Sequence, residues 1–535
     1  MASHPAHPKV FAGGTLALLI VLSVLGAIIG VQLLTTLGVT PNTAIIGAMV
    51  AMIIARIPLK MFAQYRSIHV QNLAQSVTSA ATFGAANSLL MPISLPFLFN
   101  RSDLIIPVLV GVSFAMLLDG YLLYRLFDTR VFPASGAWPP GVAAAEAIKA
   151  GDTGGKEAFL LLGGITAGVG GALMSIPMSA FGTAFLGNIW ALTMFGIGLL
   201  SRGYSLPLFD IDINGLYLPH GLMIGAGIVA LFQVIVLIRA HPQNMSHNDK
   251  KTAETSIADV TRDADSIKRS LRLGAAAYLI LAVLLAIGTG LYTEMSFSML
   301  VAFTLYAAFA AFVHELIVGI AAMHSGWFPA FAVALITLLI GMMLGFPPLA
   351  LVVLCSFSSA TGPAFADMGY DLKAGYMLRG NAEDIAFELD GRRQQLIGVL
   401  MAFAICIPVV FLSFNVYFSQ GLVPPVAKVY IATIEAGIAE GVAWKLALWA
   451  IPGAVIQLIG GSKRQLGVLL STGLLIPNPW AGWAVLTGIV LRLIITRIWG
   501  EKARSGMEVF AAGTIAGDAL YSFFNSLFKA GIKGR

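Results

Sequence analysis

The chain has 535 residues, 58% hydrophobic and only 11% charged, with a mean hydropathy of +0.86, whereas ordinary soluble domains carry about 25% charged residues. So few charges exclude a soluble globule of this size, and continuous apolar stretches exclude a transmembrane β-barrel, whose strands alternate in polarity. The excess of 32 basic over 26 acidic side chains fits Lys and Arg retained in cytoplasmic loops rather than affinity for nucleic acid.

Val10–Ala55, Ala158–Ser201 and Leu316–Ala366 contain no Asp, Glu, Lys or Arg, and each is long enough for two helical crossings of about 20 residues. The first apolar segment, Phe11–Gly38, is too long for a signal-peptide core and stays in the mature protein. Behind it come Ala44–Ala55, Asn72–Leu98, Leu104–Tyr124, Ala158–Ala180, Ile189–Leu200 and Leu216–Ile238. The second half offers Leu273–Tyr292, Phe297–Met323, Phe328–Leu344, Leu349–Ala366, Leu396–Phe414, Val429–Leu458, Leu466–Ile476, Trp483–Ile495 and Val509–Leu527. The expected fold is all-α and polytopic, with about 14 to 16 transmembrane helices, some broken or re-entrant. Cys355 and Cys406 both lie in apolar runs and offer neither a disulfide framework nor a metal site.

Arg56, Lys60 and Arg66 have no acidic neighbours, which places that loop, and with it the amino terminus, in the cytoplasm. The loop from Arg239 to Arg272 carries seven bases and five acids and is placed inside as well. That parity needs one hidden crossing or re-entrant segment, located around Gly141–Ala150. Within the loop, Ile257, Val260, Ala264, Ile267 and Leu271 recur at helical spacing, Ser256 and Asp259 form a capping pattern, and Asp265 can pair with Arg269. Ser76–Ala81 resembles Ser356–Thr361 at an offset of 280, and Ile176-Pro177 resembles Ile451-Pro452 at 275. These offsets point to two related halves, 1–240 and 272–535, joined by a cytoplasmic linker over 241–271, an organisation that lets halves rock around a midplane site.

A charge at a helix centre costs about 2.5 to 3.5 kcal/mol on insertion scales, so each submerged acid needs a reason. Asp119, Glu315, Asp367, Glu435, Glu440 and Asp518 are the proton-coupling candidates. Asn72, Gln75 and Asn87, in a segment crowded with Ser, Thr, Ala and Gly, are candidates to line a polar cavity. Pro92, Pro96 and Pro363 are placed to break helices beside it. Enzyme signatures fail: His314-Glu315 lacks the second His of a zinc protease, since residue 318 is Val, and Gly154-Gly155-Lys156 is followed by Glu157 instead of Ser or Thr. With no nucleotide-binding domain, the energy source is an ion gradient, and the composition leaves proton and sodium both open. No cofactor is called for.

Phe132-Pro-Ala-Ser-Gly-Ala-Trp-Pro-Pro-Gly141, continuing through Glu146 and Lys149 to Gly151, resembles the FPSG/YPEG segment of the oligopeptide transporter family, which includes the yellow stripe-like metal-chelate transporters. Asp367, Asp371, Lys373, Gly375 and Tyr376 fall at the spacing of that family's D-x-x-Q-D-x-K-T-G-Y loop. Ala511–Leu520 is similar to its terminal GLIAGE helix, with Asp518 in place of Glu. Tyr370, Ala374 and Arg379 depart from the pattern and would shift cargo preference if they touch cargo. The resemblance implies a proton-coupled importer of about 16 helices. It adds Glu146, Asp371, Lys373 and Tyr376 to the substrate-site candidates, opposite charges serving the two ends of a peptide zwitterion.

The leading expectation is therefore a secondary-active importer of small peptides or related metal chelates in the cell membrane, with lipids, protons and the solute as its partners. Two competing classes are an enzyme acting on lipid-linked substrate, with His314 and Glu315 as acid and base, and a passive channel.

Overall fold

The computed structural model describes residues 7–37, 40, 43–153, 155–239, 261, 264–326, 328–437 and 441–533. Among these the chain is helical throughout, without a strand beyond the isolated Phe127–Phe132 bridge. Nine described helices are long and apolar enough to cross a membrane, and five shorter apolar helices accompany them. Their outer faces carry Phe114, Phe297, Leu412 and Ile459, each more than half exposed, an apolar girdle that water would not tolerate and hydrocarbon does. The protein is a multi-pass, all-α membrane protein.

The order begins α1 (Gly13–Leu37), α2 (Ala44–Ala55), α3 (Ile68–Phe83), a π-helical stretch over Gly84–Leu90, α4 (Met91–Leu98), α5 (Ile105–Leu126) and α6 (Pro139–Thr153). It continues α7 (Gly155–Leu173), α8 (Met178–Leu186), α9 (Ile189–Phe209), α10 (Leu218–Arg239) and α11 (Ala264–Gly288). Then follow α12 (Phe297–Ser325), α13 (Ala330–Met343), α14 (Pro348–Ala360), α15 (Pro363–Leu378), α16 (Ile385–Ser419) and α17 (Pro425–Ala436). The chain closes with α18 (Val442–Arg464), α19 (Leu466–Leu475), α20 (Pro479–Trp499) and α21 (Arg504–Lys533).

Helices α1 to α10 have counterparts of similar order in α12 to α21, each starting 272 to 290 residues later, and α11 stands outside this correspondence. Packing follows it: α7 lies along α21 as its counterpart α18 lies along α10, and α8 meets α20 as α19 meets α9. These seams are set by glycine. A Cβ on Gly164 or Gly168 would run into the α21 backbone, and one on Gly225 into the Ala450 carbonyl of α18. Small residues four apart let helix backbones approach closely where lipid supplies no hydrophobic drive.

Several sequence expectations are corrected. The stretch Gly141–Ala150, absent from the apolar segments, lies in helix α6. Val429–Leu458 is two helices, because α17 ends before Gly437 (φ +73°) and Gly441 (φ +82°) precedes α18; a left-handed φ suits Gly and interrupts a helix. Ile267 and Leu271 belong to the first turns of α11, the next crossing, rather than to a separate linker helix. Asp265 pairs with Lys268 at 3.4 Å, three residues on, instead of Arg269. Ile257 and Val260, with the capping pair Ser256 and Asp259, lie outside the described residues.

Candidate functional site

Helices α3 and α14–α15 form the centre: every residue from Val70 to Phe83 and from Leu349 to Gly375 is buried. A helix buried on all sides must satisfy its polar side chains inside the protein. The break between α14 and α15 falls at Gly362, whose φ of +101° suits Gly, and Pro363 then opens α15 where its missing N–H costs nothing. Pro92 and Pro96 do not break the chain in this way; they sit within α4, behind the π-helical turn.

Across this centre Ser79 donates to Asp367 and Gln75 to Asp371, linking α3 to α15. Gln395 on α16 donates to the Asp371 carbonyl at 2.6 Å and to Ser76 at 3.1 Å. Among the described residues, the second oxygen of each aspartate, the Gln75 Oε1 and both amide atoms of buried Asn72 have no hydrogen-bond partner. One turn apart on α15, Asp367 and Asp371 are therefore held by neutral donors alone.

A second acid pair lies where α5, α11 and α12 meet. The Tyr278 hydroxyl is 2.7 Å from Asp119 Oδ1 and also contacts Glu315, while the Gly362 N–H donates to Asp119 Oδ2 at 3.0 Å. All three side chains are at most 1% exposed. His314 faces the neighbouring hydroxyls, Ser358 at 3.3 Å and Thr361 at 3.5 Å. Among the described residues, none of these four carboxyls forms an ion pair, and no group of three or more His, Cys, Asp or Glu is placed to hold a metal.

The other sequence candidates scatter. Lys373 neutralises neither aspartate: its ammonium donates to the Ala134 carbonyl at 2.9 Å and lies 5.7 Å from the Tyr376 ring centroid. Glu146 pairs with Lys149 at 3.1 Å, and Asn87 accepts from Thr40 at 2.9 Å. Asp518 accepts from the Ser179 backbone N–H at the start of α8, 2.6 Å away. Glu435 is exposed at the last turn of α17, because the run that seemed to bury it is broken there. Glu440 lies outside the described residues.

At the end of the molecule where Lys9 meets Asp390 (2.6 Å), a charged knot is buried. Glu388 is clasped by Arg379 (2.6 Å) and Arg392 (2.5 Å), and Arg392 also reaches Asp128 (2.9 Å). Asp128 accepts from the Thr261 hydroxyl at 2.6 Å. Burial alone would raise the Asp128 carboxyl, but the Arg392 charge and the Thr261 hydrogen bonds hold it below the usual carboxylate range. A cleft of about 550 Å³ opens beside the knot, lined in part by Arg125, Thr261, Asp390 and Arg393.

The two sequence motifs lie against each other. Trp138, fully buried, packs on Gly369, and its ring meets Tyr370 edge-on with centroids 6.1 Å apart. Gly141 on α6 approaches the Tyr370 carbonyl so closely that no Cβ would fit. Two of the departures from the family pattern have intramolecular partners. The Tyr370 hydroxyl donates to the Gly326 carbonyl at 3.0 Å, and Arg379 is tied to Glu388 and to Gln395 (2.8 Å). The family model described as OPT oligopeptide transporter protein matches residues 15–230 and 214–529. The chain belongs to the oligopeptide transporter family. No curated protein matches it significantly. Members of this family are transporters, so His314 and Glu315 are not an enzyme's acid and base.

Tyr278, Gln395, Asp128, Glu388 and Arg392 were not singled out by sequence reasoning. Gln395 and Arg392 sit in a helix that begins polar, and only three-dimensional placement shows them turned inward. For Asp128 the signal was available, since it stands between an apolar run and the FPASG motif.

Proposed function

We propose that this oligopeptide transporter family member imports small peptides, or related amino-acid-derived metal chelates, by alternating access driven by an inward proton gradient. The observation that carries the reading is the set of four submerged carboxyls, Asp119, Glu315, Asp367 and Asp371, none compensated by a basic side chain among the described residues. A buried carboxylate without a cation is costly, so such a group is occupied by a proton or by a cationic portion of the cargo. Asn72 and Gln75, with amide atoms that have no partner among the described residues, supply hydrogen bonds to peptide groups; Lys373 and Tyr376 stand further along α15, Asn87 in the π-helical stretch that follows α3, and Glu146 on α6. Asp518, at the α8–α21 contact, is a coupling candidate of lower rank because a backbone N–H already occupies it.

The helix correspondence supports two related halves, about 1–240 and 272–535, able to rock about the α3–α15 centre. Lys9, Arg125, Arg130, Lys268 and Arg393 gather at the end where the amino-terminal segment docks, whereas Arg101 at the opposite end pairs with Asp103. The positive-inside rule then makes that end, the amino terminus and the 241–271 linker cytoplasmic in the cell membrane. Uptake of labelled di- to tetrapeptides into proteoliposomes tests the reading. Accumulation should require an inward proton gradient, and equal flux without one would overturn it.

A further inference from the structure

Among the described residues, helix α11 is the one crossing outside the two-fold correspondence, and only 28% of its apolar window is buried. Yet it sends a fully buried tyrosine between an acid of the first half and an acid of the second. We propose that Tyr278 is a proton relay: with Asp119 and Glu315 it holds a single proton between the two halves and passes it from one carboxyl to the other. This deepens the proton-coupled reading and rests on it.

The argument is one of donors and acceptors. A tyrosine hydroxyl has one hydrogen to donate, and an ionised carboxylate only accepts. The Tyr278 oxygen is nevertheless in hydrogen-bond contact with both Asp119 and Glu315. Asp119 and Glu315 are also in hydrogen-bond contact with each other, and two carboxyls can share a hydrogen bond only if one of them is protonated; Tyr278 then donates to the ionised partner and accepts from the protonated one. Asp119 already accepts the Gly362 N–H on its second oxygen, a donor that favours the ionised form. Glu315 has no partner on its second oxygen. The resting assignment is therefore Glu315 protonated and Asp119 ionised.

Among the described residues, the groups around the trio add no further charge to it. His314 is turned to Ser358 and Thr361, Phe357 lies against the Tyr278 ring with centroids 6.2 Å apart, and no described base is paired with either acid. Transfer is balanced: the Glu315 O–H breaks as its proton bonds to the Tyr278 oxygen, and the Tyr278 O–H breaks as its proton bonds to Asp119. Negative charge moves from α5 to α12, and the tyrosine is regenerated. Losing the proton altogether would leave two carboxylates around one hydroxyl, so the bridge between halves is expected to open when the site is emptied.

Two measurements on the full-length protein in lipid test this. In infrared difference spectra, Glu315→Gln should remove a carbonyl band of a protonated, buried carboxylic acid, and Tyr278→Phe should shift the same band. Wild-type intensity persisting in Glu315→Gln would overturn the assignment. In proteoliposomes both variants, checked as folded by thermal unfolding in detergent, should lose proton-driven accumulation at least about tenfold. Undiminished accumulation by Tyr278→Phe would overturn the relay. A wild-type protein with the infrared signature but no gradient-driven uptake would overturn proton coupling and the relay's role in transport, while leaving the protonated Glu315 in place.

Discussion

Arg392 and Asp128 lie 2.9 Å apart with 0% and 3% of their side chains exposed, although they belong to α16 and to the loop leading into the FPASG motif. Between them they fasten three parts of the chain, because Arg392 also holds Glu388 and the Thr261 hydroxyl (2.8 Å), and Thr261 lies in the 241–271 linker. Breaking one member of such a buried pair costs far more than the intact pair contributes, since the remaining charge is left without compensation.

Asp128→Asn should therefore lower stability by about 3 kcal/mol at neutral pH. The pH dependence has a definite sign. The folded-state carboxyl titrates below its ordinary range, so its contribution is complete above the unfolded value of about 3.9 and is lost as pH falls through the lower folded value. The gap between wild-type and Asp128→Asn unfolding midpoints in detergent should be constant from neutrality to about pH 5 and shrink in stronger acid. A gap that widened in acid would show that Arg392 does not hold Asp128 ionised.

How far the sequence led depends on the kind of signal. Hydropathy marks acids inside or at the end of an apolar run, and for that reason Asp119, Glu315 and Asp367 were legible as submerged carboxyls, whereas Asp371 was reached only through the family motif. Their grouping was not: Asp119 and Glu315 are joined through Tyr278, and a tyrosine in an apolar run reads as an interfacial aromatic. Glu435 misled because Val429–Leu458 has the hydropathy of one crossing, while two glycines at positive φ divide it. Arg379 and Tyr370, which depart from the family pattern, hold Glu388 and the Gly326 carbonyl, partners that a motif comparison does not reveal. The packing of α7 with α21 and of α10 with α18 was legible in principle, since Gly164/Gly168, Gly513/Gly517 and Gly221/Gly225 are each four apart.

That glycine spacing yields a stability prediction. A methyl group on Gly225 would meet the Ala450 carbonyl, backbone that cannot swing away as a side chain can. Gly225→Ala should cost about 1 to 3 kcal/mol, the usual range for overpacking. Gly163→Ala, on the exposed face of α7 with nothing within 4 Å of the added carbon, should change stability by no more than about 0.5 kcal/mol. Thermal unfolding of both variants in the same detergent makes the comparison, and equal losses would mean that the α10–α18 seam is looser than it looks.

The last prediction concerns Asp371 and Asp367. Each uses one oxygen on a neutral donor from α3, Gln75 or Ser79, and leaves the other without a partner. A free ammonium at a peptide's amino terminus would find two acceptors there, and a charge-assisted hydrogen bond contributes about 1.5 to 3 kcal/mol. Asp371→Asn should then raise the half-saturating concentration for an unmodified peptide by roughly ten- to a hundredfold, and hardly at all for the same peptide with an acetylated amino terminus. Asp367→Asn keeps the Ser79 contact and should weaken proton-driven uptake of both peptides alike if this residue carries a proton rather than cargo. Concentration-dependent uptake into proteoliposomes separates the two roles, and an Asp371→Asn effect equal for both peptides would remove the ammonium from this site.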